Sequence, residues 1–168
     1  MASGNVVALI YNVVPPAANA AEIKIRAGGS TPAERVPIFS FDAATIEYMD
    51  FYCYLTGYAG GGLTITTPWS AASATTGVTR WGAAIRRVQD DAEDIDTSQT
   101  YDYNDVDDTT ANVSGEISYP TLTFTDGADM DSVANNEMFI LRIRRNASHA
   151  NDTMTGDAEL WTPIIKET

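Results

Sequence analysis

Glu137-Met-Phe-Ile-Leu-Arg-Ile-Arg-Arg145 decides how this chain is read. Phe139, Leu141 and Ile143 fall on one side of an extended backbone, with Met138, Ile140, Arg142 and Arg144 on the other, the pattern of a strand with one buried face. Ile46-Glu-Tyr-Met-Asp-Phe-Tyr-Cys-Tyr-Leu55 repeats the alternation in β-favouring residues. Ile46, Tyr48, Asp50, Tyr52 and Tyr54 oppose Glu47, Met49, Phe51, Cys53 and Leu55, and the set from Met49 onward reads as the core face. Next, Leu63-Thr-Ile-Thr-Thr-Pro-Trp69 alternates again after Gly57 and the run Gly60-Gly61-Gly62, which permits a turn. The segments 46–55 and 63–69 are therefore expected to be antiparallel neighbours. Pro68 has no N–H for a ladder and is expected at an edge or a strand end.

Further out, Ser70 to Thr76 reads as a loop of small residues. Gly77-Val-Thr-Arg-Trp-Gly-Ala-Ala-Ile-Arg-Arg-Val88 admits a helix through Trp81, Ile85 and Val88, but its two glycines and the strands around it favour an extended segment. Weaker strands are expected over 6–11, 22–26, 35–40, 116–124 and 157–165, and a brief helical turn over 126–134, capped by Asp129. About eight to ten short strands, punctuated by Gly, Pro, Asn and Asp, predict an all-β antiparallel β-sandwich, jelly-roll-like. The acid-rich run from Asp90 to Asp108 reads as one long solvated loop or arm.

The chain has 168 residues, 44% of them hydrophobic, which suits one domain over 1–168 with a single core, with 1–40 holding either its first strands or an N-terminal arm. Ten Lys and Arg against 23 Asp and Glu leave a formal charge of −13, so nucleic acid and anionic membranes are poor partners, and no apolar run is long enough to span a bilayer. Cys53 is the sole cysteine, which rules out an intrachain disulfide or a thiolate zinc site. The start, Met-Ala-Ser-Gly-Asn, lacks the basic-then-apolar pattern of a secretory signal, and the chain is expected to be made in cytoplasm.

Catalytic chemistry finds little footing. His149 is the only histidine and sits in a polar turn without a glycine-flanked nucleophile, so neither a Ser–His–Asp nor a Cys–His arrangement is available, and one imidazole is too few for a cupin metal. Glu47 and Asp50 are the least implausible acid and base for glycoside hydrolysis. Asp126, Asp129 and Asp131, like the acids of 90–96, lack the spacing of a calcium loop and read as solvated or capping groups. No cofactor is expected. The aromatic residues Tyr48, Tyr52, Tyr54, Tyr58, Trp69 and Trp81 suit either a stacking surface for sugars or a packed face, with an oligomer interface at Tyr48, Tyr52, Tyr54, Tyr58 and Trp69 the preferred reading.

Several segments together are similar to a set of small virion proteins of tailed bacteriophages: 46–51, the glycine-rich turn with 63–65, Trp69-Ser-Ala-Ala-Ser-Ala-Thr-Thr-Gly77, Trp81-Gly-Ala-Ala84, Gly127-Ala-Asp-Met-Asp-Ser132 and Asn151-Asp-Thr-Met-Thr-Gly-Asp-Ala-Glu-Leu160. The resemblance implies a jelly-roll capsid decoration or cement protein, made in the bacterial host and located in the virion. It further implies a homo-oligomer, as a trimer, with the major capsid protein or another virion protein as partner. The alternative kept beside it is a tail-fibre domain that binds a receptor or glycan.

Overall fold

The computed structural model describes residues 4–168. The first three residues of the start read above lie outside them. Strands occupy Ala8–Val14 (β1), Glu22–Ala27 (β2), Arg35–Phe41 (β3), Glu47–Leu55 (β4), Leu63–Thr66 (β5), Trp69–Ala71 (β6), Val78–Val88 (β7), Asn104–Thr109 (β8), Ile117–Ser118 (β9), Thr121–Phe124 (β10), Met138–Arg145 (β11), Ala158–Leu160 (β12) and Ile164–Glu167 (β13). The segment 1–40 thus supplies β1, β2 and most of β3 to the sheets, where an arm was one expectation.

The alternation in β11 sets the first layer. Leu141 pairs with Phe51 of β4 on one side and Ile85 of β7 on the other, so the apolar sets of three central strands lie in one plane. Phe139, Leu141, Ile143, Met49, Phe51, Cys53, Trp81 and Ala83 are all fully buried. The layer is antiparallel, in the order β1-β4-β11-β7-β8. The opposing layer holds β2-β3-β12-β6-β9 and a smaller sheet, β10-β5-β13. Its inner side chains close the core through edge-on aromatic contacts, Phe39 on Phe51 at 5.3 Å and Phe41 on Trp81 at 5.1 Å.

This opposing layer is split in two for a reason written in the sequence. The chain crosses from one sheet to the other three times, between β5 and β6, β9 and β10, and β12 and β13, and each crossing carries a proline: Pro68, Pro120 and Pro163. A proline ring has no N–H to give a ladder, so the ladders end there. The crossings are laced together by the proline carbonyls instead: Trp161 N–H donates to Pro68 at 2.8 Å and Thr67 N–H to Pro120 at 3.0 Å. The segments 116–124 and 157–165 accordingly become two strands each, and the expected loop 70–76 begins as β6.

Two expectations are corrected. β4 and β5 are not neighbours: β4 lies between β1 and β11, and β5 between β10 and β13 in the opposite layer. The glycine-rich connection crosses between layers rather than closing a hairpin, and Gly62 makes its final bend with φ +85°, where a Cβ would stand 2.4 Å from the Phe124 carbonyl oxygen. The acidic run is not one external loop either. Asn104–Thr109 is β8, completing the first layer against β7, because its carboxylates have partners: Asp107 with Arg80 at 2.6 Å, Asp105 with Arg144 at 3.0 Å, Asp108 with Trp69 Nε1 at 2.7 Å. Only the strap 89–103 remains a connector.

Candidate functional site

The outer face of the first layer carries the side chains that alternate away from the core. On β4 these are Tyr48, Asp50, Tyr52 and Tyr54; the register sets Arg144, Arg142, Ile140 and Met138 of β11 beside them in that order. β7 continues the rows with Gly82, Ala84, Arg86 and Val88. At the edge, β1 carries a bulge between Ile10 and Asn12, and the extra residue, Tyr11, turns its ring edge-on to Tyr52 at 6.4 Å. The strap 89–103 forms the facing wall. The result is a groove of about 590 Å³ whose lining includes Tyr11, Tyr52, Tyr101, Asp50, Arg142, Arg86, Gln99, Ile95 and Met138. It runs past Val88, Ile95 and Met138 into a second hollow of about 510 Å³ bordered by Tyr54, Asp91 and Asn136.

The charges of the groove are matched within it. Arg142 grips Asp50 through two parallel bonds, Nε to Oδ1 and Nη2 to Oδ2, both 2.6 Å, and its guanidinium lies 3.9 Å from the Tyr101 ring centre. Burial works against the Arg142 cation, but the Asp50 carboxylate more than offsets this and holds the guanidinium above its ordinary range. Arg86 donates from Nε to Glu93 at 3.1 Å. Arg144 lies 3.8 Å from the Tyr103 ring centre and reaches Asp105. Gly82 leaves the space for this crossing, since a Cβ there would stand 2.4 Å from Asp105 Oδ1 and 2.7 Å from Arg144 Nε. Burial raises the hydroxyl pKa of Tyr101 and Tyr103, so both rings stay neutral.

The aromatic candidates divide. Tyr52 lines the groove, Tyr54 borders its extension, and Tyr48 lies near Arg142 and Tyr103 on the same face. Tyr58 does not join them: its hydroxyl donates to Asp126 at 2.6 Å and accepts from Gly62 N–H at 2.9 Å, bracing the glycine turn. Trp69 is 1% exposed, in the core 5.8 Å from Trp81, so neither tryptophan offers a surface. Inward-facing alternation in a short strand explains this, because Leu160 and Trp69 are paired across the core side of the second layer. Tyr11, Tyr101 and Tyr103 are the residues that sequence reasoning missed. The Tyr-Asp-Tyr spacing at 101–103 was the available signal, masked by the acids around it.

The candidate acid and base fall on opposite faces of β4, Glu47 with the core set and Asp50 with the groove, so they cannot flank one bond. Glu47 accepts from Asp42 N–H at 2.7 Å, and burial raises its pKa. The aspartates weighed for calcium are engaged separately: Asp126 with Tyr58, Asp131 with Arg87 N–H, and Asp129 with Thr125 N–H, beside a 3₁₀ turn at Ala128–Met130 that it does not cap. Among the described residues no group of three or more His, Cys, Asp or Glu is gathered around one point. The Cys53 thiol is buried, its pKa pushed up to about 12, and is unreactive as a nucleophile.

No family model and no curated protein matches the chain. Among solved structures it is similar to the CBM22-1 xylan-binding domain of Xyn10C from Paenibacillus barcinonensis, at 6% identity and a TM-score of 0.52, over 98% of this chain and 95% of that one. The family 11 carbohydrate-binding module from Clostridium thermocellum, solved with a β-1,3-1,4-mixed-linked tetrasaccharide, is similar at 11% identity and a TM-score of 0.45, over 97% and 89%. TmCBM61, solved with β-1,4-galactotriose, gives 10% identity and a TM-score of 0.39, over 94% and 88%. The xylan-binding domain shares the antiparallel jelly-roll sandwich of this chain, and at such low identity the likeness extends to the fold alone.

Proposed function

We propose that this chain is a carbohydrate-binding domain that holds an uncharged sugar chain along the tyrosine-lined groove of its five-stranded layer, without cleaving it. One observation carries the reading: rings at Tyr11, Tyr52 and Tyr101 frame a groove whose polar groups are already paired as Asp50–Arg142 and Arg86–Glu93. Aromatic faces shed water readily against the C–H faces of a sugar, while the Gln99 side-chain carbonyl, whose amide nitrogen is held by Asp94 and Thr97, the tyrosine hydroxyls and the unused lone pairs of Asp50 remain to meet hydroxyl groups. With no unmatched cation in the lining and a chain charge of −13, an anionic polysaccharide is disfavoured. The sandwich shared with a xylan-binding domain supports the same reading, and the separation of Glu47 from Asp50 supports binding without turnover.

Affinity electrophoresis through gels containing xylan, mixed-linkage β-glucan, galactan or the acidic polymer polygalacturonate tests it. A neutral polymer is expected to retard the wild type, and Tyr52→Ala to weaken this at least tenfold, about 1.4 kcal/mol. Added salt should leave the retardation unchanged, because no ion pair forms with the ligand. No retardation by any neutral polymer, or full retardation of Tyr52→Ala, would overturn the reading.

A second reading, a structural subunit of a phage particle with a virion protein as partner, is favoured by the apolar rim around the groove. Leu9, Tyr54 and Met138 are 62%, 37% and 44% exposed there, a surface suited to cover by protein. Mass spectrometry of purified particles, counting this chain against the shell protein, separates the two readings.

A further inference from the structure

The three sheets end on six outer strands: β1 and β8, β2 and β9, β10 and β13. An outer strand offers a row of unpaired backbone groups to any other chain unless something blunts it. Five of the six are blunted. β1 is bulged at Tyr11 and runs on into Pro15-Pro16; β8 sets Asp105, Asp107 and Asp108 along one short edge; β9 has two residues. β10 packs against β8, and Val6 bridges to Lys166 on β13. β2 is different. It pairs with β3 at every position from Glu22 to Ala27 without a bulge or a proline, and it leaves Ile23 56% and Ile25 58% exposed.

We propose that β2 pairs antiparallel with β2 of a second copy of this chain, joining two sandwiches into a two-fold dimer. The charges on Glu22-Ile-Lys-Ile-Arg26 select the occupant and the register. Side chains keep their faces only if the register moves in steps of two residues. With Ile23 opposite the partner's Ile23, Glu22 meets the partner's Lys24, and the symmetry repeats that pair. One step in one direction sets Glu22 against the partner's Glu22, and one step in the other sets Lys24 against the partner's Lys24, where the flanking Glu22 meets an Arg26 already engaged by Glu159 of its own chain. A further step sets Lys24 against the partner's Arg26. Like charges directly opposite destabilise a ladder and opposite charges support it, so one register among these is free of conflict. The ladder in that register is short, from Glu22 to Lys24 of each copy, because each chain turns inward before Glu22: Ala21 is 2% exposed and its N–H is bound to the Tyr48 carbonyl. Lys24 already meets Glu22 of its own strand at 3.0 Å, so the same two groups form the pair in cis alone and in trans in the dimer.

Such an interface is the same patch on both copies and consumes the only open edge among the described residues, so assembly stops at two. It does not build the trimer that the phage resemblance implies, and it is independent of what the groove binds.

Sedimentation equilibrium across the micromolar range tests the proposal. The wild type is expected at twice its 18.1 kDa, and Ile23→Lys and Glu22→Lys at 18.1 kDa, with the circular dichroism of the fold unchanged because both side chains are exposed. Glu22→Lys combined with Lys24→Glu should restore the dimer, since the exchange swaps both members of each pair. A wild type that is monomeric or trimeric, an Ile23→Lys variant as dimeric as the wild type, or a charge swap that stays monomeric would each overturn it.

Discussion

Arg142 and Arg145 leave β11 three residues apart and on opposite faces, and the period of two assigns them different work. Arg142 lies on the groove side, half-buried between tyrosines and bound to Asp50. Arg145 points into the sandwich, where neither its side chain nor that of its partner Asp152 is more than 1% exposed. Its guanidinium donates to both Asp152 oxygens, at 2.8 and 3.0 Å, and to the carbonyls of Met154 and Gly156, each at 2.7 Å. This pins the loop 146–157, including His149, whose Nδ1 accepts from Asn151 N–H. Replacing Arg145 with Ala leaves the Asp152 carboxylate with the Arg80 N–H but no cation, and takes the donor from the Met154 and Gly156 carbonyls. Urea unfolding should show a loss of about 3–5 kcal/mol, the cost of breaking a buried pair from one side. Alternation in the sequence already places Arg145 inward; that the chain returns there with Asp152 is a long-loop event that alternation cannot express.

At the scale of elements, the strap 89–103 is the part that makes a groove out of a sheet face. It has no ladder of its own and is held by side chains: Glu93 on Arg86, Tyr101 on Arg142 and Tyr103 on Arg144. The exposed Ile95, at 82%, is carried on it as part of the wall. Removing both rings, Tyr101→Ala with Tyr103→Ala, should free the strap while the strands stay paired. Limited proteolysis within 89–100 should then accelerate several-fold with circular dichroism unchanged, and ligand retardation should weaken. An unaltered cleavage rate would show that the rings do not hold the strap. The acids of this segment pointed to a solvated loop, and their composition is indeed that of a loop. What turned Asn104–Thr109 into β8 was the supply of partners, Arg80 and Arg144, from strands far off in sequence.

Across the whole molecule, a formal charge of −13 is carried by a fold in which many carboxylates are engaged. Backbone N–H groups of Ala44 and Thr45 hold Asp42 below the usual carboxylate range, and Arg87 does the same for Glu137. For Asp107, burial acts upward but is outweighed by Asn151 and Arg80, so its pKa is also lowered. Each such group binds protons more weakly folded than unfolded, so its contribution is present above about pH 4–5 and is lost as the pH falls through the lowered values. Glu47 acts in the opposite sense, since burial raises its pKa and protonation relieves a cost. With three lowered groups against one raised, the melting temperature should fall from pH 6 to pH 3, and Glu137→Gln should flatten that slope. A melting temperature that rises with acid would contradict this balance.

Much of the local order was settled by the sequence alone: that 46–55, 77–88 and 137–145 are extended, which face of β4 and β11 is apolar, and that the fold is an all-β sandwich. Those properties follow from side-chain period and from backbone chemistry within a few residues. Only the tertiary structure decided which strands are neighbours, as with β4 and β5 in opposite layers, and which tyrosines share a groove, as with Tyr11, Tyr52 and Tyr101 from three separate segments. Strand pairing and groove formation depend on contacts between residues distant along the chain, chosen by the joint packing of every strand, and no short window of sequence contains that competition.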